Sequence, residues 1–181
     1  MNIEFPDDLN RASNIILLTI ILILSYKYNL SILYTIKLYF GNAFINYCLK
    51  YYLFKPIMKG GTYPIIGRGL RPEGAKNCGE FRDNFFDTTI TPKLSTSYGF
   101  PSGHSQCAGL FMTFIYEHFR DKPYIFYSSL IYSLYIPYTR VKLGCHTIEQ
   151  IIFGYIFGII TYYLFEYIHK SIYVTRDNID N

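Results

Sequence analysis

The sequence predicts an all-α fold, a multi-pass membrane helical bundle of about five transmembrane helices, and three observations lead to it. Half of the 181 residues are apolar and 17% are charged, where an average soluble domain carries about 25% charged residues. The apolar residues stand in blocks and the charges stand between them. Five blocks, at residues 12–28, 30–54, 103–119, 124–140 and 146–169, come near the length of about 17–25 residues that crosses a bilayer as a helix. A chain of this length is expected to form one domain, 1–181.

The first block has its apolar core at residues 15–24. It follows Glu4, Asp7 and Asp8, with Arg11 as its only positive charge, and no small-residue cleavage site comes after it. It therefore reads as a retained membrane helix and not as a cleaved signal peptide. The second block contains Lys37 and Lys50; Lys37 is expected to snorkel to the boundary. Residues 55–100 follow as a long polar loop with Gly60, Gly61, Gly67, Gly69, Pro56, Pro92 and most of the charges. A loop this long in a compact protein is usually functional or disordered. The third block starts at Gly103 and the fourth ends at Arg140. The fifth excludes a soluble helical protein: residues 151–165 have no charge and no polar face beyond Thr161, whereas a soluble surface helix shows a polar stripe. Tyr162 and Tyr163 are expected as lipid-facing packing, and His118 and His169 as interfacial residues without a role.

The net charge is +4, and the basic residues do not run beside aromatics, so nucleic-acid binding is excluded. Cys48, Cys78, Cys107 and Cys145 lack zinc-site spacing. They are expected as free thiols, the alternative being a Cys78–Cys145 disulfide if their loops face an oxidising lumen.

Three clusters carry chemistry. Arg71-Pro72 is preceded by Lys50, Lys55, Lys59 and Arg68. Pro101-Ser102-Gly103-His104-Ser105-Gln106 opens the third block. Thr139-Arg140 is followed by His146 and Gln150. Counting crossings puts all three on one side of the membrane. Arginine offers a planar fork matched to phosphate oxygens. A Pro-Ser-Gly helix start presents free N–H groups and the positive dipole end to an anion. Two histidines supply a nucleophile and a proton donor near neutral pH. Together these suit phosphoryl transfer, in which positioning and charge stabilisation carry most of the catalysis. No acidic cluster suited to Mg²⁺ accompanies them, so neither metal nor cofactor is expected.

Pro101-Ser102-Gly103-His104 with Arg140-x5-His146 resembles the type-2 phosphatidic acid phosphatase superfamily, whose pattern is Lys-x6-Arg-Pro, Pro-Ser-Gly-His, then Ser-Arg-x5-His-x3-Asp. The resemblance runs from about Asn46 to Gln150. It implies a haloperoxidase-like helical membrane bundle with the site near the lipid–water boundary. Gln106 and Gln150 bring the motifs closest to the dolichyl diphosphate phosphatases, where Gln replaces the usual Asp. By this resemblance His146 is the nucleophile that forms a phosphohistidine, and His104 protonates the leaving group. Arg71 and Arg140 clamp the phosphoryl oxygens, and Ser102 and the Gly103 N–H add hydrogen bonds. Gln150 shares a helix face with His146 and would fix its tautomer. Two departures stand out. Family spacing puts the lysine at Pro64; Lys50 fits across an insertion, with Lys55, Lys59 and Arg68 as competitors. Gln150 replaces Asp, and Glu149 is the neighbouring alternative. Thr139 replaces Ser and keeps the hydroxyl.

The implied activity is metal-independent hydrolysis of a lipid phosphate or a polyprenyl diphosphate, with the bilayer as partner. The alternatives are a catalytically weak lipid-phosphate binding protein on the same scaffold, or a phosphatase or phosphotransferase for another phosphate ester. Arg140 and Lys142 have the further reading of interface anchors. Loops opposite the site carry Lys27, Arg120, Lys122, Lys170 and Arg176. By the positive-inside rule the site then faces a lumen or the exterior, as in an endoplasmic reticulum membrane.

Overall fold

The computed structural model describes residues 12–76, 78, 95 and 97–177; Glu4, Asp7, Asp8, Arg11 and Pro92 of the sequence reading lie outside them. The first helix, α1 (Ser13–Lys27), turns at Tyr28–Ser31 into α2 (Ile32–Cys48). Asn29 takes the left-handed conformation in this turn, φ 56°, which Asn tolerates. The Ser31 hydroxyl then caps α2 by accepting from the Tyr34 N–H at 3.3 Å. The two helices are stitched by a hydrogen bond between Ser25 Oγ and Thr35 Oγ1 at 3.0 Å.

The second block does not end at residue 54. Its backbone continues from α2 through a π-helical turn, Leu49–Phe54, into a short α3 (Lys55–Met58). Pro56 lies directly after the π-helical turn, in the first turn of α3. Lys59, at φ 41°, and Gly60 then stop the helix. The loop therefore begins near Lys59, and it is not wholly irregular. Thr62–Tyr63 (β1) pairs antiparallel with Gly67–Arg68 (β2), Thr62 opposite Arg68 and Tyr63 opposite Gly67.

Three helices complete the chain: α4 (Gly103–Phe119), α5 (Pro123–Lys142) and α6 (Ile148–Asp177). The last is longer than the expected 146–169 block. Mostly helical architecture is as expected. The membrane spans are less plain than the sequence suggested. Among the described residues, Ile148–Ile172 of α6 is the one segment both long and apolar enough to cross a membrane; α1 is apolar but shorter. At about 1.5 Å rise per residue, the 17 residues of α4 give about 25 Å, short of the roughly 30 Å hydrocarbon core, and α2 reaches that length only together with its π-helical continuation and α3. α5 has the length but is interrupted by Ser128, Ser129, Ser133 and several tyrosines.

α4 is the central helix and is buried on nearly every face. Leu17 and Ile21 of α1, Leu38 of α2, Ile136 of α5 and Tyr162 of α6 all pack on its Leu110, Phe111, Phe114, Ile115 and Phe119. Its closest neighbour is α6. A Cβ on Gly158 would meet the Gln106 carbonyl, one on Gly109 the Tyr155 carbonyl, and one on Gly154 the Ser102 backbone. Glycines at these positions let the two backbones touch. Tyr162, expected to face lipid, is instead buried, with its hydroxyl 3.3 Å from His118 Nε2. Lys37 is exposed.

Candidate active site

Four helix ends meet at one end of the bundle: the α2 end, the α4 start, the α5 end and the α6 start. Gln106, on the first turns of α4, locks two of them together. Its amide NH₂ donates to Asn42 Oδ1 at 2.9 Å and to the Asn42 carbonyl at 3.2 Å, and its Oε1 accepts from Asn46 Nδ2 at 2.7 Å. The start of α4 is tied to α6 by the Ser102 N–H, which donates to the Gln150 carbonyl at 3.0 Å. Ser102 is the N-cap of α4, and its hydroxyl accepts from the Ser105 N–H at 3.4 Å and from Ser105 Oγ at 3.1 Å. Gly103 is the first residue of that helix, 3.1 Å from Asn46 Oδ1 at its would-be Cβ, so a side chain there would crowd the amide.

The two ends of the long loop close over this floor. The Gly69 carbonyl accepts from both the Gly99 N–H at 3.1 Å and the Phe100 N–H at 3.0 Å. Gly99 lies where a Cβ would strike the Gln150 amide and the Arg71 nitrogen. The absence of side chains therefore lets loop and helix start share the space.

Arg71 is nearly buried, and all three of its guanidinium nitrogens are engaged. Nε donates to the Ser97 carbonyl at 3.1 Å, and Nη2 to Ser97 Oγ at 2.9 Å. Nη1 donates to the Cys145 carbonyl and to His146 Nε2, both at 2.9 Å. Since arginine only donates, His146 Nε2 accepts and carries a lone pair. The other ring nitrogen follows by the same logic. Gln150 Nε2 donates to the carbonyls of Arg68 and Leu70, both at 2.7 Å. Two carbonyl acceptors fix that amide with its NH₂ toward the loop, so Oε1 faces His146 Nδ1 at 2.9 Å and must accept. Nδ1 holds the proton.

Electrostatics favour the neutral ring. His146 is held well below the ordinary histidine value, chiefly by burial, then by the charges of Arg71 and Lys50, with His104 adding to them and the Gln150 bond opposing. Arg71 is pulled down to about 10 by burial and stays charged at neutral pH. The imidazole is thus neutral and the guanidinium cationic.

Of the candidate lysines, Lys50 on the π-helical turn is the one whose charge acts on His146. Lys55 and Lys59 are exposed, and Lys55 lies over the Tyr51 ring. The Arg68 side chain is exposed, and its carbonyl is what reaches the site. Glu149 turns away, its side chain packing against Gly67. Arg140 is fully buried at the last turn of α5. Its Nη2 donates to the Cys78 carbonyl at 2.9 Å, and its own carbonyl accepts from the Cys145 and His146 N–H groups at 2.9 and 3.2 Å. Thr139 does not extend the site, because its hydroxyl donates to the Ile136 carbonyl at 2.7 Å.

Cys78 and Cys145 are joined in a disulfide, which corrects the expectation of four free thiols; Cys48 and Cys107 are free. Ser97 and the carbonyls of Arg68, Leu70, Cys78 and Cys145 went unnoticed in the sequence, since a backbone acceptor leaves no trace in residue type. Gly154-x3-Gly158 had a sequence signal, two small residues four apart in an apolar stretch. Among the described residues, no three His, Cys, Asp or Glu side chains group as metal ligands.

No curated protein and no solved structure matches the chain. The family model of the PAP2 superfamily matches residues 29–173, a span that takes in every residue of the site just described. The chain belongs to the PAP2 superfamily, and phosphatase activity on phosphate esters is the function that membership indicates.

Proposed function

We propose that this protein is a multi-pass membrane phosphatase, one domain throughout, that hydrolyses a lipid phosphate or a polyprenyl diphosphate without a metal ion. The observation that carries the chemistry is the fixed tautomer of His146: a buried neutral imidazole with its Nε2 lone pair directed at Arg71. A phosphoryl group entering between them takes over the guanidinium donors and meets the lone pair. Nε2 attacks phosphorus, the bond to the leaving oxygen breaks, and His104 gives that oxygen a proton. The Gln150 carbonyl oxygen holds the Nδ1 proton while the ring gains charge. Water then attacks the phosphohistidine, His104 takes back a proton, the P–N bond breaks, and phosphate leaves. Arg71, Arg140 and Lys50 balance the charge on the equatorial oxygens, and Ser102 and the Gly103 N–H complete the cradle at the start of α4.

The lipid reading is supported by the outer surface. Ile148, Ile152, Ile156, Ile160, Leu164, Ile168 and Ile172 form an exposed stripe along α6. Leu33, Phe40 and Phe44 of α2 and Tyr127, Ile131 and Leu134 of α5 are exposed as well. Soluble monomers rarely expose contiguous apolar patches beyond a few hundred Å². A bilayer around α1, α2, α4, α5 and α6 covers these faces, and helices short of the hydrocarbon thickness are accommodated by local thinning. The site then opens at the boundary, where a phosphate headgroup lies. Facing a lumen or the exterior, as in an endoplasmic reticulum membrane, is the orientation that the charges of the opposite loops favour.

The test is phosphate release from polyprenyl diphosphates, phosphatidate and sugar phosphates, with EDTA present, by the parent and by His146→Ala. The expected result is turnover of a lipid substrate by the parent and none by the variant. Turnover that survives in His146→Ala overturns the mechanism. A preference for sugar phosphates overturns the lipid reading, and loss under EDTA restored by Mg²⁺ overturns metal independence.

A further inference from the structure

The Cys78–Cys145 disulfide lies at the point where the two arginines cross. Arg71, from the loop, donates through Nη1 to the carbonyl of Cys145. Arg140, from the end of α5, donates through Nη2 to the carbonyl of Cys78. Each side of the crosslink therefore supplies an arginine to the half-cystine of the other side. The two half-cystines are buried, 5.5 Å apart at Cα and 67 residues apart in sequence. Among the described residues their apolar cluster adds Ala75, and the Cys78 N–H donates to Ser95 Oγ at 2.8 Å. His146 follows Cys145 directly, so its backbone is held by the same bond.

We propose that the Cys78–Cys145 disulfide is a positioning element of this site, fixing the two carbonyls that set Arg71 and Arg140 and with them the anion-binding geometry. The inference rests on the reading of Arg71 and Arg140 as phosphate ligands. The covalent link joins the segment of Arg71 to the segment of Arg140, so opening it lets the Cys78 and Cys145 carbonyls shift relative to each other and relaxes one of the bonds that aim each arginine. The bond also assigns the site a side. A disulfide persists in an oxidising compartment and not in a reducing cytosol, so the loop face looks onto a lumen, a periplasm or the exterior. That agrees with the positive charges of the opposite loops, which are an independent indication.

The experiment reduces the intact protein in detergent with dithiothreitol. Two electrons convert the bond to two thiols, and the reagent leaves as its cyclic disulfide. Alkylation after denaturation and mass measurement then report two free thiols before reduction and four after it. Inorganic phosphate is the probe, through its inhibition constant, beside kcat, KM and circular dichroism. Reduction should weaken phosphate and raise KM about 10-fold or more with helix content unchanged, and reoxidation should restore both. If the buried bond resists the reagent, Cys78→Ala with Cys145→Ala gives the same opened state. Arg71→Ala in the oxidised protein separates the two layers of the argument. If Arg71→Ala leaves phosphate inhibition unchanged, the phosphate-ligand reading fails and this inference with it. If Arg71→Ala weakens phosphate but the reduced and double-alanine proteins bind it as before, the disulfide inference alone is overturned. Loss of helix content on opening, in place of a selective loss of phosphate affinity, also overturns it, because the bond is then a general staple.

Discussion

His146 and Gln150 show how four residues of spacing become a chemical state. The i,i+4 separation puts the amide beneath the ring, and the carbonyls of Arg68 and Leu70 decide which end of the amide faces it. A carboxylate at 150 has no hydrogens for those carbonyls. Gln150→Glu therefore sets negative charge against two carbonyl oxygens while offering charge to the imidazolium. The first effect misplaces the ring; the second favours its protonated form. In the parent, burial and the charges of Arg71 and Lys50 keep His146 well below its ordinary value, so the neutral nucleophile persists to acid pH and kcat/KM falls only as pH drops through that low value. In Gln150→Glu the pKa rises, so the acid limb moves to higher pH, and the rate at its plateau falls about 10- to 100-fold, roughly 1.4–2.7 kcal/mol of barrier. A pH–rate profile with an unmoved limb and an unchanged plateau sinks this account. The histidines, the arginines and Ser102 stood out in the sequence as candidates by residue type, and Gln150 by its i,i+4 spacing from His146 and by the resemblance. Lys50 was legible only as one of several cations, since choosing it takes the geometry that brings its charge to His146. The partners of Arg71 were not legible, because Ser97 and two backbone carbonyls resemble any others in a sequence.

At the scale of elements, the site depends on the closeness of α4 and α6. Ser102 and His104 belong to the first turn of one, Gln150 to the first turns of the other, and the Ser102 N–H reaches the Gln150 carbonyl directly. That contact requires backbone touching backbone at Gly109, Gly154 and Gly158. The neighbours there are carbonyl groups, which cannot swing aside as a side chain can. Gly158→Leu should force the helices apart, costing about 1–3 kcal/mol of stability and lowering kcat through the displaced α4 start. Gly158→Ala should fall between it and the parent. Thermal midpoints and kcat for the pair check this; a leucine variant as stable and active as the parent removes the close approach from the argument. The helices themselves were legible as apolar blocks. Their ends were less so. The π-helical turn at Leu49–Phe54, of a kind found at functional sites, lies within the second block and carries Lys50, α3 prolongs that block to Met58, and no periodicity announces either. The crosslink was open as well, because the sequence spacing of four cysteines does not fix connectivity.

For the whole molecule, the ends of the helices sort into two sets. The loop, the start of α4, the end of α5 and the start of α6 share the site end. At the other end the α1–α2 turn meets the α4–α5 turn: Tyr28 stacks edge-on against Phe119 with ring centroids 5.0 Å apart, and Lys122 lies 5.1 Å over the same tyrosine. Lys27, Arg120 and Lys122 all fall there, so the positive charge of the short turns is gathered at the end away from the site. Among the described residues, helix length and composition single out α6 alone as a span: α1, α2 and α4 are short as regular α-helices, and the serines and tyrosines of α5 lower its hydropathy wherever they face. The three-dimensional arrangement adds what that count omits, namely that α2, α5 and α6 each expose large apolar side chains, which would form one belt in a bilayer. If the belt is lipid-covered, Glu73 in the exposed part of the loop and Asp121 in the α4–α5 turn lie on opposite sides of a bilayer. Single cysteines at these positions, in a Cys48→Ser background that keeps the disulfide and the buried Cys107, report it directly. In sealed vesicles a membrane-impermeant maleimide should label Glu73→Cys from the oxidising face and Asp121→Cys only after the vesicles are opened. Labelling of both from the same face means that α4 does not cross, and the chain then lies on the membrane by α6 or by its apolar stripe instead of threading it. Labelling from opposite faces with Glu73→Cys on the cytosolic side keeps the bundle but contradicts the disulfide, since a crosslink between Cys78 and Cys145 would then have to survive in a reducing compartment.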